Sequence, residues 1–246
     1  MSASTLRIGV LMPEVLGTYG DTGNALILAE RARRRGIEAE VVHVGLTEDI
    51  PDSLDIYTLG GGEDTAQALA ADKFRGTSGL SRALDAGRPL LAICASLQVL
   101  GHWYEDARGV RVPGMGVLDI TTRPQGHRAI GELVCEPVLE GLTQTLTGFE
   151  NHGGGTVLGP DASPLGRVIS GVGNGTPQGE EAPEVRYDGA VQGSVIATYM
   201  HGPALARNPE LADLLLERAT GATLEPLDVP GVAELREERL SGVSLS

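Results

Sequence analysis

Cys94 is the residue whose surroundings most favour chemistry. It follows the apolar segment LLAI at residues 90–93 and precedes ASLQVLG, which has the composition of a helix. A cysteine on a sharp turn between a strand and a helix lies at the ligand-binding edge of a sheet, and the helix N-terminus favours a thiolate there. We interpret Cys94 as a candidate nucleophile, with a buried structural cysteine as the alternative. Cys135, within the strand-like LVCEP, is a weaker candidate.

A nucleophilic thiol requires a base, and the histidines are the candidates. His201 directly follows the apolar segment VIATYM, so it is expected at the same sheet edge as Cys94. His152 lies in the glycine-rich FENHGGGT, which could approach a ligand closely. His43 falls in the middle of a predicted strand and His102 at the far end of the predicted Cys94 helix, so both are interpreted as packing or surface residues.

A third element is the segment LGGGED at residues 59–64. Three glycines after a strand allow backbone N–H groups to point into the crevice at the sheet edge. We interpret the triple glycine as a candidate oxyanion hole, paired with the N–H of Ala95. A simple tight turn between a strand and a helix is the alternative.

The elements that must position these residues alternate along the first 104 residues. Strands are predicted at 6–12, 40–44, from 55 into the triple glycine, and from 88 to the turn at Cys94. Helices are predicted at 25–36, 65–71, 77–87 and from Ala95 to about residue 104, and a loop at 17–24. This alternation predicts an α/β fold with a mostly parallel central sheet and helices on both faces.

Short strand-like segments follow between about residues 110 and 200, namely GVLDITT, AIGELVCE, GFENH, GRVISG and VIATYM. Residues 170–189 are predicted to be an exposed loop. A helix is predicted over 208–221, with Asn208 as N-cap, Pro209 at the first position and Gly221 as the stop. A further helix is predicted within 229–246. A single domain of residues 1–246 is expected, with a core at about 6–220 and a C-terminal extension at 221–246.

Composition excludes several classes of function. The 246 residues carry 19 basic and 33 acidic side chains, a net charge of −14, so nucleic acid is an unfavourable partner. Lys73 is the only lysine, and no Gly-Lys pair forms a Walker A phosphate loop. Two cysteines without a CxxC pair indicate neither a disulfide scaffold nor a zinc site. Without a signal-peptide pattern or a run of 18 apolar residues, we expect a cytoplasmic chain with no transmembrane segment.

The ordered set LGGGED, LLAICASLQVLG and ATYMHGP resembles the class I glutamine amidotransferases, and more narrowly their CobB/CobQ-like branch. YGDTGN near the N-terminus and GFENHGG in the middle are similar to the glutaminase subunits of lipid II isoglutaminyl synthases. The resemblance covers roughly residues 6–220 and implies a flavodoxin-like three-layer fold. It also implies hydrolysis of L-glutamine by a Cys–His pair, without a cofactor.

Carried over to this chain, the resemblance implies that Cys94 is the nucleophile and His201 the base. It implies that the N–H of Gly61 or Gly62, together with that of Ala95, supplies the oxyanion hole. It implies that Arg128, in RAIGELV, holds the glutamine substrate, and the guanidinium fork suits an α-carboxylate. It further implies a partner, a Mur-ligase-like ATP-dependent synthetase subunit (MurT-type). That partner would use the ammonia to amidate the D-glutamate of lipid II to D-isoglutamine in peptidoglycan synthesis.

The chain departs from the wider class at two places. Most class I triads have His-x-Glu, and here His201 is followed by Gly-Pro, so the orienting glutamate is absent. Asp21 in YGDTGN is our candidate for the orienting carboxylate. Weaker alternatives are Glu63, Asp64 and Glu150. The second departure is Gly155, which stands where relatives often have an arginine.

Three other functions stay open. One is the glutaminase component of another amidotransferase, for example one acting on a corrinoid, although those proteins usually fuse it to an ATP-binding domain. Another is a catalytically silent regulatory module on the same fold, against which the presence of both Cys94 and His201 argues. The third is a cysteine hydrolase of the DJ-1 or peptidase type, which typically has a histidine after the cysteine, where this chain has Ala95.

Overall fold

The computed structural model describes residues 5–106 and 108–241. Its central sheet has the order β11-β12-β4-β3-β1-β2, in which all neighbours are parallel except the edge pair β11–β12. The strands are β1 (Leu6–Leu11), β2 (Ala39–Val44), β3 (Ile56–Leu59), β4 (Leu90–Ile93), β11 (Ala190–Gln192) and β12 (Val195–Thr198). Strands β3, β4 and β12 are buried along their whole length, as expected for apolar strands covered on both faces.

Helices cover this sheet. They are α1 (Gly23–Arg33), α2 (Asp64–Arg75), α3 (Gly79–Asp85), α4 (Ala95–Leu100), α5 (Ala204–Arg207), α6 (Pro209–Thr220) and α7 (Val232–Ser241). Helix α1 packs against β1, β2, α5 and α6, whereas α2 packs against α4. The crossovers β1–β2 and β3–β4 run in opposite directions across the sheet, so right-handed connections place α1 and α2 on opposite faces. The predicted α/β class with a mostly parallel sheet is confirmed.

A second sheet is built largely from antiparallel pairs. Its strands are β5 (Trp103–Glu105), β6 (Arg111–Pro113), β7 (Ile120–Pro137), β8 (Leu146–Leu158), β9 (Gly166–Ser170) and β10 (Tyr187–Asp188). Strands β7 and β8 pair along most of their length, and the register shifts between Pro124 and Ala129. A bridge between Phe149 and His201 connects this sheet to the end of β12. The second sheet therefore lies against the edge where the parallel strands end.

Three local expectations differ from the structure. The predicted Cys94 helix was drawn to about residue 104, but it ends at Leu100 and Trp103 begins a strand that pairs with β6 and β7. Gly101 allows the chain to pass from helix to strand close to β7. A Cβ at position 101 would lie only 2.7 Å from the Ile120 side chain, so a larger residue would not fit. The predicted strands GVLDITT and AIGELVCE overlap the single strand β7.

The third difference concerns the loop at 170–189 and the helix after it. Within the predicted exposed loop, Asn174 is buried and bonds both the N–H and the carbonyl of Gly189. Asn208 precedes α6 but does not cap it with its side chain. The Asn208 amide instead bonds the backbone of Thr147, so it joins α6 to β8. Among the described residues, no helix is long and apolar enough to cross a membrane.

Candidate active site

Cys94 lies on the turn between β4 and α4 in a strained backbone conformation. Its φ is +53° and its ψ −105°, a combination that costs a residue with a side chain about 1–3 kcal/mol. The Cys94 N–H donates to the Thr198 carbonyl at 2.9 Å, which ties the turn to the neighbouring strand β12. The residue is 7% exposed and lines a cavity. A thiol held in this way resembles the nucleophile of a strand-to-helix elbow.

His201 and Asp21 form a buried pair beside this turn. The Nδ1 atom of His201 lies 2.8 Å from Asp21 Oδ2, and the two side chains are 1% and 0% exposed. The His201 N–H donates to the carbonyl of Phe149 at 2.8 Å. Within the part of the chain that the structure describes, the buried Nε2 atom forms no hydrogen bond. Asp21 therefore fixes the proton on Nδ1, and Nε2 is left to face a thiol.

The surroundings of His201 favour its charged form. Burial lowers the pKa of His201, but the hydrogen bond to Asp21 and the neighbouring Cys94 sulfur outweigh burial and raise the pKa to about 10. An imidazole with a raised pKa beside a thiol favours an imidazolium–thiolate pair. Such a pair supplies a charged nucleophile and a proton for a leaving group.

The triple-glycine turn contacts both members of the pair. The Gly61 N–H donates to Asp21 Oδ2 at 2.9 Å, so it orients the carboxylate and is not available to an oxyanion. Of the two glycines named for the oxyanion hole, Gly61 therefore has its N–H engaged by Asp21. Gly62 and Ala95 both line the cavity with Cys94, and Ala95 is the first residue of α4, where an N–H has no partner within the helix. The geometry therefore favours Gly62 and Ala95 as the two donors.

Arg128 lies at the mouth of the same cavity. It is exposed and adjoins the register shift of the β7–β8 pair, where the chain leaves regular pairing between Pro124 and Ala129. Its Nε donates to Asn151 Oδ1 at 2.5 Å. Arg128 and Cys94 line one cavity, so the guanidinium is placed to meet the far end of a substrate whose reactive group reaches the thiol.

The cavity has a volume of about 240 Å³, which suits a substrate smaller than the ligands that fill pockets of roughly 300–1,000 Å³. Four carboxylates line it together with Arg128, namely those of Glu63, Asp64, Glu105 and Asp106. A cavity lined by both carboxylates and a guanidinium complements the two charges of an amino acid. A larger cavity of about 490 Å³ contains none of the predicted site residues.

His152 lines the same cavity as Cys94, but among the described residues no hydrogen bond joins His152, or the alternative carboxylate Glu150, to Cys94 or His201. The His152 ring stacks on Tyr199 at a centroid distance of 3.8 Å, and its Nε2 lies 3.4 Å from Glu150 Oε2. Glu150 also accepts the N–H groups of Val172 and Gly173. Glu150 thus organises the chain around residue 172, and Asp21 is the carboxylate that contacts His201.

The other candidates lie away from the pair. His102 is exposed and its Nε2 lies 2.9 Å from Asp119 Oδ1. His43 is exposed on β2. Cys135 is fully buried in β7, and burial raises its pKa well above the ordinary value, so it lacks the character of a nucleophile. At Gly155, a Cβ would lie 2.5 Å from the Pro177 nitrogen, so the neighbouring loop leaves no room for the side chain that relatives often carry there.

Sequence reasoning gave no role to four side chains at this site. Gln67 and Gln98 line the cavity and bond each other at 2.7 Å. Asn151 contacts Arg128, and Tyr19 packs on His201. Tyr19 and Asn151 lie within the motifs YGDTGN and GFENHGG, and that membership was the available signal. No group of three or more side chains suited to hold a metal ion occurs among the described residues.

Comparison with known sequences gives relatives along nearly the whole chain. The GatD subunit of lipid II isoglutaminyl synthase (glutamine-hydrolyzing) from Staphylococcus aureus strain N315 is 36% identical over 240 residues, 96% of this chain and 94% of that protein. The corresponding subunit from Streptococcus pneumoniae is 36% identical over 87% of this chain and 80% of its own length. A probable cobyric acid synthase from Methanothermobacter thermautotrophicus is 35% identical over 80% of this chain but only 38% of its own length.

Comparison with solved structures supports the fold. A crystal structure described as a glutamine amidotransferase matches 87% of this chain and 98% of its own with a TM-score of 0.54 at 20% identity. A glutamine amidotransferase from Thermotoga maritima matches 97% of this chain and 94% of its own with a TM-score of 0.51 at 17% identity. The sequence model of the CobB/CobQ-like glutamine amidotransferase domain matches residues 7–209. The chain belongs to the CobB/CobQ-like glutamine amidotransferase family.

Proposed function

We propose that this protein is the glutaminase subunit of a lipid II isoglutaminyl synthase and hydrolyses L-glutamine to L-glutamate and ammonia. The observation that carries the proposal is the placement of Cys94, on a strained turn at a cavity that Arg128 also lines, beside the buried His201–Asp21 pair, whose imidazole, despite burial, has its pKa raised by Asp21 and by the Cys94 sulfur. The 36% identity to the S. aureus GatD subunit over 96% of this chain supports it.

The first half of the reaction releases ammonia. The Cys94 thiolate attacks the side-chain amide carbon of glutamine, and the carbonyl oxygen takes the negative charge. The N–H groups of Gly62 and Ala95 stabilise that oxyanion. Imidazolium His201 gives its Nε2 proton to the leaving nitrogen, the C–N bond breaks, and a γ-glutamyl thioester remains on Cys94.

The second half regenerates the enzyme. Neutral His201 takes a proton from water at Nε2, and the hydroxide formed attacks the thioester carbon. The C–S bond breaks, glutamate leaves, and the thiolate–imidazolium pair is restored. Asp21 accepts the Nδ1–H at 2.8 Å throughout and stabilises the imidazolium.

Arg128 supplies substrate recognition in this proposal. Its guanidinium pairs with the α-carboxylate of glutamine, and the acidic side chains that line the same cavity attract the α-ammonium group. With both ends of the amino acid fixed, the side-chain amide extends toward Cys94. A net charge of −14 makes the single guanidinium at the rim important, since an anionic substrate end is otherwise repelled.

The ammonia serves a second chain. We propose a Mur-ligase-like ATP-dependent partner (MurT-type) that amidates the D-glutamate of lipid II, because the relatives named GatD are subunits of lipid II isoglutaminyl synthase. The sequence offers no Walker A loop of its own. The proposal places the protein in the cytoplasm, as a single amidotransferase domain over residues 1–246.

Glutamate release from L-glutamine by the protein and by Cys94→Ala tests the proposal, with and without the Mur-ligase-like partner. Activity that requires Cys94 is expected in at least one of the two preparations. Cys135→Ala is the matched control and is expected to keep the activity, since Cys135 is buried in β7 away from the cavity.

The outcomes separate the alternatives. Glutaminase activity together with amidation of lipid II supports the full proposal. Glutaminase activity without lipid II amidation, but with amidation of a corrinoid by another partner, would assign the chain to the cobyric-acid branch. If no glutamate is released even when an active partner is present, the chain would be assigned as a regulatory module and the proposed reaction would be overturned.

A further inference from the structure

Tyr19 occupies a backbone conformation that a bulky residue rarely adopts. It lies between β1 and α1 with a φ of +61°, in the left-handed region that favours glycine or asparagine. Its N-terminal neighbour Thr18 forms a bridge with Gly61, and Gly20 follows it. The loop is held before Tyr19 by the Thr18–Gly61 bridge and after it by Asp21, which bonds His201 and Gly61. The strain at Tyr19 is thus maintained by its surroundings, as is common at functional sites.

This conformation places the Tyr19 ring on His201. The two rings meet edge to face, with a centroid distance of 4.8 Å and an angle of 65° between their planes. Tyr19 is 43% exposed, whereas His201 is 1% exposed. The tyrosine thus separates the imidazole from solvent and limits rotation of its ring.

The Tyr19 hydroxyl begins a chain of short hydrogen bonds toward the substrate end of the cavity. Asn151 donates from Nδ2 to the Tyr19 hydroxyl oxygen at 2.6 Å. The Oδ1 atom of Asn151 accepts the Nε–H of Arg128 at 2.5 Å. The backbone carbonyl of Asn151 also lies 4.0 Å from the Cys94 sulfur. Asn151 therefore contacts Tyr19, Arg128 and the Cys94 sulfur.

We propose that Tyr19 and Asn151 are positioning residues that couple the orientation of Arg128 to that of His201. The ring of Tyr19 holds the His201 imidazole in place. The Tyr19 hydroxyl, through Asn151, holds the Arg128 guanidinium in the direction that receives an α-carboxylate. The inference rests on the proposed function, because it takes glutamine as the substrate. Substrate binding at Arg128 and proton transfer at His201 are thereby set by one connected group of side chains.

Alkylation of Cys94 by iodoacetamide tests both parts of the proposal, the positioning of Arg128 and the positioning of His201. It does not require turnover. Peptide mass spectrometry separates Cys94 from the fully buried Cys135. In wild type, L-glutamine is expected to protect Cys94, and L-glutamine α-amide, which lacks the carboxylate, to protect it less. Kinetics of glutamate release, with the partner added where needed, then give KM and kcat separately.

Tyr19→Phe keeps the ring and removes the hydroxyl, and Asn151→Ala removes the link. Each is expected to raise the glutamine concentration for half-protection and the KM by about threefold to tenfold, the effect of one lost hydrogen bond, with kcat changed less. Their protection by the α-amide is expected to stay near wild type. The double variant is expected to resemble Asn151→Ala alone, because both changes break one chain. Tyr187→Phe, another partly exposed tyrosine, is the control.

Tyr19→Gly tests the ring, and glycine adopts a φ of +61° without strain, so folding is not threatened. The titratable groups that contact His201 are Asp21, Cys94 and Tyr19. Opening the imidazole to water weakens its pairing with the thiolate, so the midpoint of the alkylation–pH profile is expected to rise by about half a unit or more. Tyr19→Phe is expected to keep the wild-type profile.

Two results would overturn the inference. One is half-protection by glutamine within twofold of wild type for both Tyr19→Phe and Asn151→Ala. The other is an unchanged alkylation profile in Tyr19→Gly. Failure of glutamine to protect the wild type, with or without the partner, is a different result: it counts against the proposed glutaminase, while the alkylation profile still decides whether Tyr19 positions His201.

Discussion

Asp21 Oδ2 lies 2.8 Å from His201 Nδ1, although 180 residues separate them in the chain. The same carboxylate accepts the N–H of Gly61 at 2.9 Å and that of Gly202 at 3.1 Å. Three donors thus hold a buried carboxylate in one orientation, and it in turn holds the imidazole. This contact holds the proton on Nδ1 and leaves Nε2 as the ring nitrogen available to the neighbouring Cys94, the arrangement that the proposed base requires.

Asp21→Asn is expected to lower kcat for glutamine hydrolysis by about 10²–10⁴-fold with a small change in KM. An amide nitrogen in place of Oδ2 would oppose two N–H donors, so the imidazole would rotate or take the other tautomer. Steady-state glutamate release measures the effect. Asp49→Asn, at an exposed carboxylate, is the control and is expected to match wild type. Activity of Asp21→Asn within tenfold of wild type would assign the orienting role elsewhere.

Glycine is required at position 61 because the backbone there closely approaches the side chains of His201 and Asp21. A Cβ at Gly61 would lie 2.5 Å from His201 Cε1 and 3.2 Å from Asp21 Oδ2. Gly61→Ala is expected to displace the imidazole and to lower kcat by roughly 10²-fold, the effect of a misplacement of about 1 Å. Gly76→Ala, where the nearest atom to a Cβ would be 3.6 Å away, is the matched control in the same assay. Equal activity of the two variants would contradict this account.

The backbone strain at Cys94 predicts that Cys94→Gly is more stable than Cys94→Ala, the reverse of the usual order for these two residues. Cys94 has a φ of +53°, so Cys94→Gly relieves a conformational cost that Cys94→Ala retains. We expect the glycine variant to be more stable by about 1 kcal/mol, after the greater chain entropy of glycine is subtracted. Urea unfolding of the two variants measures the difference.

Cys135 provides the control for this order, because it lies in β7 and is not among the residues of positive φ. There the glycine variant is expected to be less stable than the alanine variant by roughly 0.5–1 kcal/mol. The same sign of the difference at both positions would show that the turn at Cys94 stores no strain.

The sequence predicts the parallel sheet because the elements of its first half alternate and their ends carry glycines. The turn at Cys94 and the position of His201 after β12 follow from strand patterns, and parallel strands end at one edge. Asp21 follows β1 in the same sheet, so a contact with His201 was a reasonable expectation. Strand patterns are local in the sequence, and the alternation of strands and helices indicates a parallel sheet. Both can therefore be inferred from one sequence.

The remainder depends on contacts that no local pattern carries. The Gly61 N–H donates to Asp21, 40 positions away in the chain, and that contact depends on how two separate loops meet. The roles of Tyr19 and Asn151 depend on the docking of the second sheet through the bridge of Phe149 with His201. Arg128 reaches the cavity because the β7–β8 register shifts beside it. Register shifts and docking between sheets are tertiary features, and residue type predicts them poorly.

Asp188 predicts a pH dependence of stability that is separate from catalysis. Its carboxyl is fully buried, and burial raises its pKa from 3.8 to about 6 against the hydrogen bonds from Thr198 and the Tyr199 N–H, with the charge of Glu150 adding to the rise. The folded state thus binds this proton more tightly than the unfolded state. The stability that the protonated carboxyl provides is complete below pH 3.8 and is lost as the pH rises through about 6.

Asp188→Asn removes this titration while keeping a group of similar shape. The free energy of unfolding of the variant, relative to wild type, is expected to increase by up to about 3 kcal/mol between low pH and pH 8, since each pKa unit corresponds to about 1.4 kcal/mol. Urea unfolding of both proteins at pH 4.5 and pH 8 is expected to show about 2 kcal/mol of this increase, since pH 4.5 lies about 1.5 units below the folded pKa of about 6. Asp161→Asn, at an exposed carboxylate, is expected to show a flat difference. A difference for Asp188→Asn that stays constant, or that falls with rising pH, would mean that the Asp188 carboxyl is not held protonated by burial.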